Sequence, residues 1–435
     1  MLHDELKNVI QTTLTELYPL WINFPKYDYK RVVRRLESRG QYNFSLEVFA
    51  GVRTGYEFFI AYRGLSSAVF LEGEMRRLQP ELFSYLIGVN MASLVQDVWS
   101  YIPIWLDFLT DKSRENSLDQ SIALLISELD HVLKAKAVNA RIISPICGLR
   151  VASNEVLEDF AFEDDLIMRR MDDLEFEEMM SSDVHDNMSG TSHFMPDISY
   201  ILEHRATVPV YFSNESCFSE STELKKIYDR NDLLMQAFHL VGVGKVTILK
   251  TYHQNKLKVL PFVMGGMSNI LLHHSFQLME ISLSDLAEIK KVFDQLKQCN
   301  NQQIMLAVSR LMDAEQRMSP VDTLLDSFIG LEALLNSGKM EASYKICLNY
   351  SFMGKKETRK ERFSLMDKLY NVRSKIVHGD FVLNDVISGD IHENAKLAKL
   401  CLREVLMHLL NNTDVYYAPK IQKKFWEGKI FEDSA

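Results

Sequence analysis

The chain has 435 residues, of which 47% are apolar and 25% charged, with a formal net charge of -10 at pH 7. That length exceeds what one hydrophobic core supports, and the composition excludes a disordered or fibrous protein. The opening Met1-Leu-His-Asp-Glu-Leu-Lys mixes acids and bases without an apolar core, so it does not read as a secretory signal.

The first twenty residues repeat apolar side chains at Leu2, Leu6, Val9, Ile10, Leu14 and Leu17, which predicts a helix. Residues 42 to 73 change character. Asn43-Phe-Ser-Leu-Glu-Val-Phe and Tyr56-Glu-Phe-Phe-Ile-Ala-Tyr, separated by Gly51 and Gly55, predict a hairpin or meander. Helical patterning returns from about Glu74 to Ala137, with Asp111 to Asn116 as a polar break. Within it the uncharged stretch Leu82 to Gln96 is too short and too polar to span a bilayer. Residues 1–140 are thus expected to form an α+β amino-terminal region, and the chain as a whole an α+β multidomain protein.

From Arg141 short strands are expected at Arg141-Ile-Ile-Ser-Pro-Ile-Cys-Gly-Leu, Val208-Pro-Val-Tyr-Phe and Lys245-Val-Thr-Ile-Leu-Lys-Thr-Tyr, with a helix from about Ser221 to Leu240. Between the first two lies Glu155 to Asp186, with thirteen acids against Arg169 and Arg170, a local charge of -11. Ser181-Ser-Asp-Val-His-Asp-Asn-Met-Ser-Gly-Thr-Ser follows as a mobile insertion. Residues 141–282 are read as a small mixed α/β domain.

Residues 283–435 are predicted to be all helical. Leu286, Ile289, Val292, Phe293 and Leu296 make one apolar face, and Ile304, Val308 and Leu311 the next. Ser319-Pro320-Val321-Asp322 starts a helix, with Ser as cap, Pro at the first helical position and an acid in the first turn. Asn336-Ser-Gly338 provides a left-handed stop. A short helix near Tyr344 to Phe352, another from about Arg359 and a last one through Leu397, Cys401, Val405 and Leu409 complete the set.

Arg373-Ser-Lys-Ile-Val-His378-Gly379 stands out, because a permanent cation and a titratable imidazole lie five residues apart near a helix end. From Lys339 to Asp380 ten basic residues face five acids, so the motif lies in the basic part of an acidic protein. Phe363, Met366, Tyr370, Arg373 and Val377 recur at helical spacing, which sets Arg373 at the edge of a buried stripe, pointing toward a partner surface. On a continuous helix His378 is rotated from Arg373 by roughly 140° and displaced by roughly 7.5 Å. Either the helix frays at Ile376 to Gly379, or a two-fold homodimer supplies one residue set from each subunit. Cleavage of RNA through its own 2'-hydroxyl needs a base, an acid and positive charge on the phosphate oxygens. Histidine performs the first two near neutral pH, and arginine grips two phosphate oxygens at once. Lys375 is a further phosphate contact.

The stretch Leu369-Tyr370-Asn371-Val372-Arg373-Ser374-Lys375-Ile376-Val377-His378-Gly379 closely resembles the signature of ApeA-like HEPN domains. Asp322-Thr-Leu-Leu-Asp326-Ser-Phe-Ile-Gly-Leu-Glu332-Ala-Leu-Leu335 resembles the helix that precedes it in that family. The resemblance covers the last third of the chain well and the middle third loosely. It implies an HEPN helical bundle at 283–435 in which the Arg-x4-His motif is a ribonuclease site, with Arg373 and His378 catalytic. It further implies a polar residue after the arginine, here Ser374, and Glu332 and Asp326 orienting Arg373 or His378. The implied setting is toxin-like or anti-phage defence, with RNA as substrate and a trigger or neutralising protein as partner; because an always active ribonuclease would harm its own cell, the two preceding regions are expected to sense a trigger or restrain cleavage. The alternative is a non-catalytic HEPN interaction or sensor protein that binds RNA, nucleotide or a protein partner.

No cofactor and no metal site is expected. Gly242-Val-Gly-Lys245-Val-Thr247 lacks the first glycine and the hydroxyl residue of a phosphate-binding loop, and stands after a helix and before a strand, the reverse of the required order. His273 and His274 are adjacent and point apart on a strand. Five cysteines, Cys147, Cys217, Cys299, Cys347 and Cys401, show no C-x-x-C spacing and are odd in number, which argues against a disulfide framework and for a reducing cytoplasm. Twenty methionines read as core filling.

Overall fold

The computed structural model describes residues 1–24, 32–36, 41–45, 55–87, 92–94, 97–152, 159–171, 198–212, 222–242, 244–248, 252–254, 259–260, 278–336, 341–379, 389–421 and 423–431. These form a mixed α+β protein whose carboxy-terminal region is helical. Two compact units result, one of Met1–Asn231 with Thr247–Leu278, the other of Asp232–Val246 with Met279–Ala435. Among the described residues no helix is long and apolar enough to cross a membrane.

In the first unit α1 (Asp4–Asn23) follows its apolar repeat: Leu6, Ile10, Leu14 and Leu17 are fully buried. Strands β1 (Val32–Leu36) and β2 (Gln41–Ser45) pair antiparallel. The expected second strand at residues 56–62 is instead helix α2 (Gly55–Tyr62). The aromatic run that favours a strand locally is used at helical spacing. Phe58 is fully buried, with ring centroids 5.0 Å from Trp21, 5.2 Å from Phe24 and 4.7 Å from Tyr62 four residues on. Tertiary packing overrides strand propensity here.

Helix α3 (Ser66–Leu78) lays Ala68, Leu71 and Met75 on the same core. The helical patterning read from 74 to 137, broken only at Asp111 to Asn116, is also corrected. Strands β3 (Ser84–Ile87) and β4 (Ala92–Leu94) interrupt it, rich in residues that suit sheets as well as helices. Helices α4 (Ile102–Lys112) and α5 (Leu118–Ala135) then flank the polar break as expected. Ser117 caps α5 in a reciprocal pair with Gln120.

Strands β5 (Ala137–Cys147), β6 (Leu149–Val151), β7 (Phe160–Glu163), β8 (Leu166–Arg170), β9 (Ile198–Phe212), β10 (Thr247–Ile248) and β11 (Tyr252–Gln254) include the three expected segments. The antiparallel order is β10-β5-β9-β3-β4, with β11 also on β5 and β8 joining β7 to β9. The acidic stretch is described only over residues 159–171, where it makes the β7–β8 hairpin. The Ser181–Ser192 insertion, like His273 and His274, lies outside the described residues. Helix α6 (Thr222–Val241) gives its first half to this unit, where Asn231 meets His204. His204 Nε2 and Asn231 Oδ1 are 2.7 Å apart, and Asn231 Nδ2 donates to Ser144 Oγ at 3.0 Å, all three residues being buried.

The second unit holds the end of α6, β12 (Met279–Ile281) and helices α7 (Leu283–Gln298), α8 (Gln302–Gln316), α9 (Pro320–Leu335), α10 (Ala342–Phe352), α11 (Arg359–His378), α12 (Gly389–Leu410), α13 (Thr413–Tyr416) and α14 (Lys423–Phe431). The faces read from α7 and α8 are buried. Ser319 caps α9 by accepting from the Asp322 amide, with Pro320 at the first helical position. Asn336 ends that helix in an extended conformation with φ -90°, so the left-handed stop expected there is not at Asn336, and residues 337–340 lie outside the described set. Gly330 of α9 faces Leu402 of α12, where a Cβ would come within 2.8 Å of the leucine methyls, so any larger residue would force Leu402 to shift. Glu315, buried on α8, ties α12 by accepting from Lys399 Nζ at 2.7 Å and Arg403 Nη2 at 2.8 Å.

Two outcomes follow. Phe58→Ala should lower stability by about 3–5 kcal/mol, as expected for emptying a packed aromatic site, read from the chemical unfolding transition. Burial, reinforced by the nearby Arg230 guanidinium, pushes the His204 imidazole from 6.5 down to about 4. Between those values the unfolded chain binds a proton that the folded chain refuses, so stability rises with pH across that window by about 3 kcal/mol. Unfolding midpoints measured from pH 4 to 7 should show this slope, and His204→Gln should remove its share.

Candidate functional site

Helix α11 carries the motif, and its sequence explains why it lies shallow. Of its twenty residues only Met366 and Leu369 are buried. Val377, expected to continue the apolar stripe, is 52% exposed. Ion pairs hold the helix at both ends. Near its start Arg362 donates to Glu404 of α12 at 2.7 Å and to the Tyr350 carbonyl at 3.2 Å, with the guanidinium 4.1 Å from the Tyr350 ring. The Tyr350 hydroxyl donates to the other Glu404 oxygen at 2.8 Å. Near its end Arg373 Nη2 lies 2.9 Å from Glu332 Oε1 of α9, with the guanidinium 5.7 Å from the Tyr370 ring centroid.

Arg373 therefore reaches Glu332 on α9 of its own chain. Its side chain keeps 22% exposure and that of Glu332 27%. Asp326 goes elsewhere: it accepts from Arg317 Nε at 2.8 Å and Arg310 Nη1 at 3.3 Å. Of the two carboxylates implied as orienting groups, only Glu332 meets the motif. The difference is one of phase, since Asp326 sits six residues earlier on α9, more than a turn and a half away.

His378 is exposed and is the last residue of the helix. The chain does not fray before it: the Gly379 amide still reaches the Ile376 and Lys375 carbonyls, and Gly379 stops the helix with φ 78°. Helix geometry thus sets His378 on the outer face, about 140° round from Arg373. Lys375 and Lys368, both exposed, share that face and border a shallow groove with Asn371 and Asp367. Ser374 is half-buried between the two sides. One chain therefore brings Arg373 and Glu332 together, and presents His378 and Lys375 separately.

The Tyr350, Arg362 and Glu404 clamp was not anticipated, because its members come from three helices and no spacing in the sequence links them. Beside it burial pushes the Cys401 thiol up to about 11. The four described cysteines, Cys147, Cys299, Cys347 and Cys401, are free thiols. Among the described residues no group of three or more His, Cys, Asp or Glu is arranged to hold a metal ion. No protein family matches the chain, and no curated protein or solved structure is detectably similar to it.

Gly379 offers a direct check on how the site is ended. A Cβ there meets nothing within 4 Å, so Gly379→Ala imposes only the left-handed backbone penalty. That variant should lose about 1 kcal/mol of stability and speed amide hydrogen exchange over the last turn of α11, leaving Arg362 and Glu404 undisturbed.

Proposed function

We propose that residues 283–435 form an HEPN-type bundle that cleaves RNA without a metal, and that the preceding regions, 1–140 and 141–282, regulate that cleavage in a toxin-like or anti-phage cytoplasmic setting. The observation that carries the reading is the Glu332–Arg373 ion pair. A carboxylate on the preceding helix holds one edge of a partly exposed guanidinium, which keeps its other donors for two phosphate oxygens. The resemblance in sequence names the same two helices and the same arginine.

In this chemistry the RNA 2'-hydroxyl gives its proton to a base and attacks the adjacent phosphorus. The bond to the 5'-oxygen breaks, and that oxygen takes a proton as it leaves. His378 is the proton-transfer group of the motif, and Arg373 meets the negative charge that develops on the non-bridging oxygens. Lys375, on the same face as His378, contacts a neighbouring phosphate. Because His378 stands about 140° from Arg373 on an unbroken helix, the reading includes a homodimer in which each composite site takes its imidazole and its guanidinium from different subunits. Products then carry a 2',3'-cyclic phosphate and a free 5'-hydroxyl.

His378→Ala and Arg373→Ala should each lower cleavage of total RNA by about 10² to 10⁴ with unchanged circular dichroism. The wild type should cleave in EDTA and scatter light as a dimer. Full activity in either variant, or a 5'-phosphate product, would eliminate the mechanism and leave a non-catalytic module that binds RNA, nucleotide or a partner protein. A strictly monomeric protein that still cuts RNA would refute the composite site.

A further inference from the structure

The sheet of the first unit carries a separate concentration of charge. Side chains at alternate positions along a strand share a face. Asn139 and Arg141 of β5 stand directly opposite Thr207 and Arg205 of β9, on the same face as Glu203, which stands opposite Ile167 of β8. Arg141, Arg169, Glu203, Arg205, Asn139 and Thr207 line one open groove of about 580 Å³. His204 and Ile142, at the intervening positions, belong to the opposite face.

Glu203 forms the floor at 3% exposure. One of its oxygens accepts from Arg141 Nη2 at 2.7 Å and Arg169 Nε at 2.8 Å, and the other from Arg205 Nε at 3.2 Å. Burial acts to raise this carboxyl, but the bonds from Arg141, Arg169 and Arg205 outweigh it and hold the group at about 2. It is therefore ionised at any ordinary pH. Two arginines directly opposite each other on neighbouring strands repel, and Glu203 is the counter-charge that keeps them together. The balance is still positive: three guanidiniums face Glu203 and Asp159, which also borders the groove. Arg205 is the open member, with its side chain 62% exposed and only Nε engaged with Glu203.

The arrangement distinguishes between kinds of anion. A nucleic-acid strand is tracked by cations spaced along a groove, whereas these three meet at a single carboxylate and so serve one compact anionic centre. Guanidinium forks match phosphate oxygens in pairs. Thr207 donates to Asn139 Oδ1 at 2.9 Å beside them, and Ile167 supplies an apolar wall. The volume falls within the range of about 300 to 1,000 Å³ usual for small-molecule sites.

We infer that this groove binds a small phosphate-bearing ligand of nucleotide size, with Arg205 as its principal contact, Arg141 and Arg169 beside it, and Glu203 as the carboxylate that fixes the three guanidiniums. The inference does not rest on the ribonuclease reading. Isothermal titration of the full chain with inorganic pyrophosphate, with ATP and with a short oligoribonucleotide tests it. Pyrophosphate and ATP should bind. Arg205→Ala, an exposed position that leaves the unfolding midpoint in place, should weaken binding about tenfold or more, the scale of one lost charge-assisted contact. Arg205→Lys should recover part of that loss. Absence of binding at millimolar pyrophosphate and ATP, binding that Arg205→Ala leaves unchanged, or binding confined to the oligoribonucleotide would each overturn it.

Discussion

A helix that buries only two side chains out of twenty leans on partly buried aromatics, such as Tyr370 against Phe328 and Phe363 against Tyr344, and on ion pairs to its neighbours, and α11 is such a helix. Met366 and Leu369 give α11 a narrow apolar footing. Its position is set by Arg362 on Glu404 at one end and Arg373 on Glu332 at the other. Both pairs are partly buried, with side-chain exposures of 17% and 48% for Arg362 and Glu404 and 22% and 27% for Arg373 and Glu332. By contrast α9 buries nine residues and takes Leu402 against Gly330. The deeply buried helix thus presents Glu332, and the shallow one presents Arg373.

The same logic governs charge. The region from Lys339 to Asp380 is basic by count, yet its arginines nearest the core are matched by carboxylates from other helices, and exposed lysines such as Lys368 and Lys375 carry the excess. Glu315 repeats the pattern with Lys399 and Arg403, as does Asp326 with Arg310 and Arg317. In the first unit Glu203 gathers three arginines on a sheet. A net charge of -10 is therefore a poor guide to the chemistry any one surface offers.

Legibility in the sequence followed the source of the physical signal. Helices α7, α8 and α9 could be read because periodic burial and caps such as Ser319 are local, encoded within a few residues. The start of the motif helix near Arg359 could be read from local signals, whereas its continuity as far as His378 stood open against fraying at Ile376 to Gly379. The aromatic run at 56–62 was misread because its helical state depends on Trp21 and Phe24, more than thirty positions away. Strand β3 escaped for a similar reason, since besides its neighbour β4 it pairs with β9 far along the chain. At the site Arg373, His378 and Glu332 were nameable in advance. The partition between Glu332 and Asp326, and the clamp of Tyr350, Arg362 and Glu404, needed the relative phase of packed helices.

The chain enters the second unit at Asp232, leaves it after Val246, and returns at Met279. Strands β10 and β11 of the first unit are therefore synthesised after part of the second, and neither unit can be completed on the ribosome until the chain has passed Leu278. A single proteolytic cut at that point would leave Asp232–Val246, with His239 bonded to the Val246 carbonyl, covalently attached to the amino-terminal fragment. The motif-bearing unit is thus stitched into the rest of the chain, and freeing both of its segments would require three cuts, after Asn231, Val246 and Leu278.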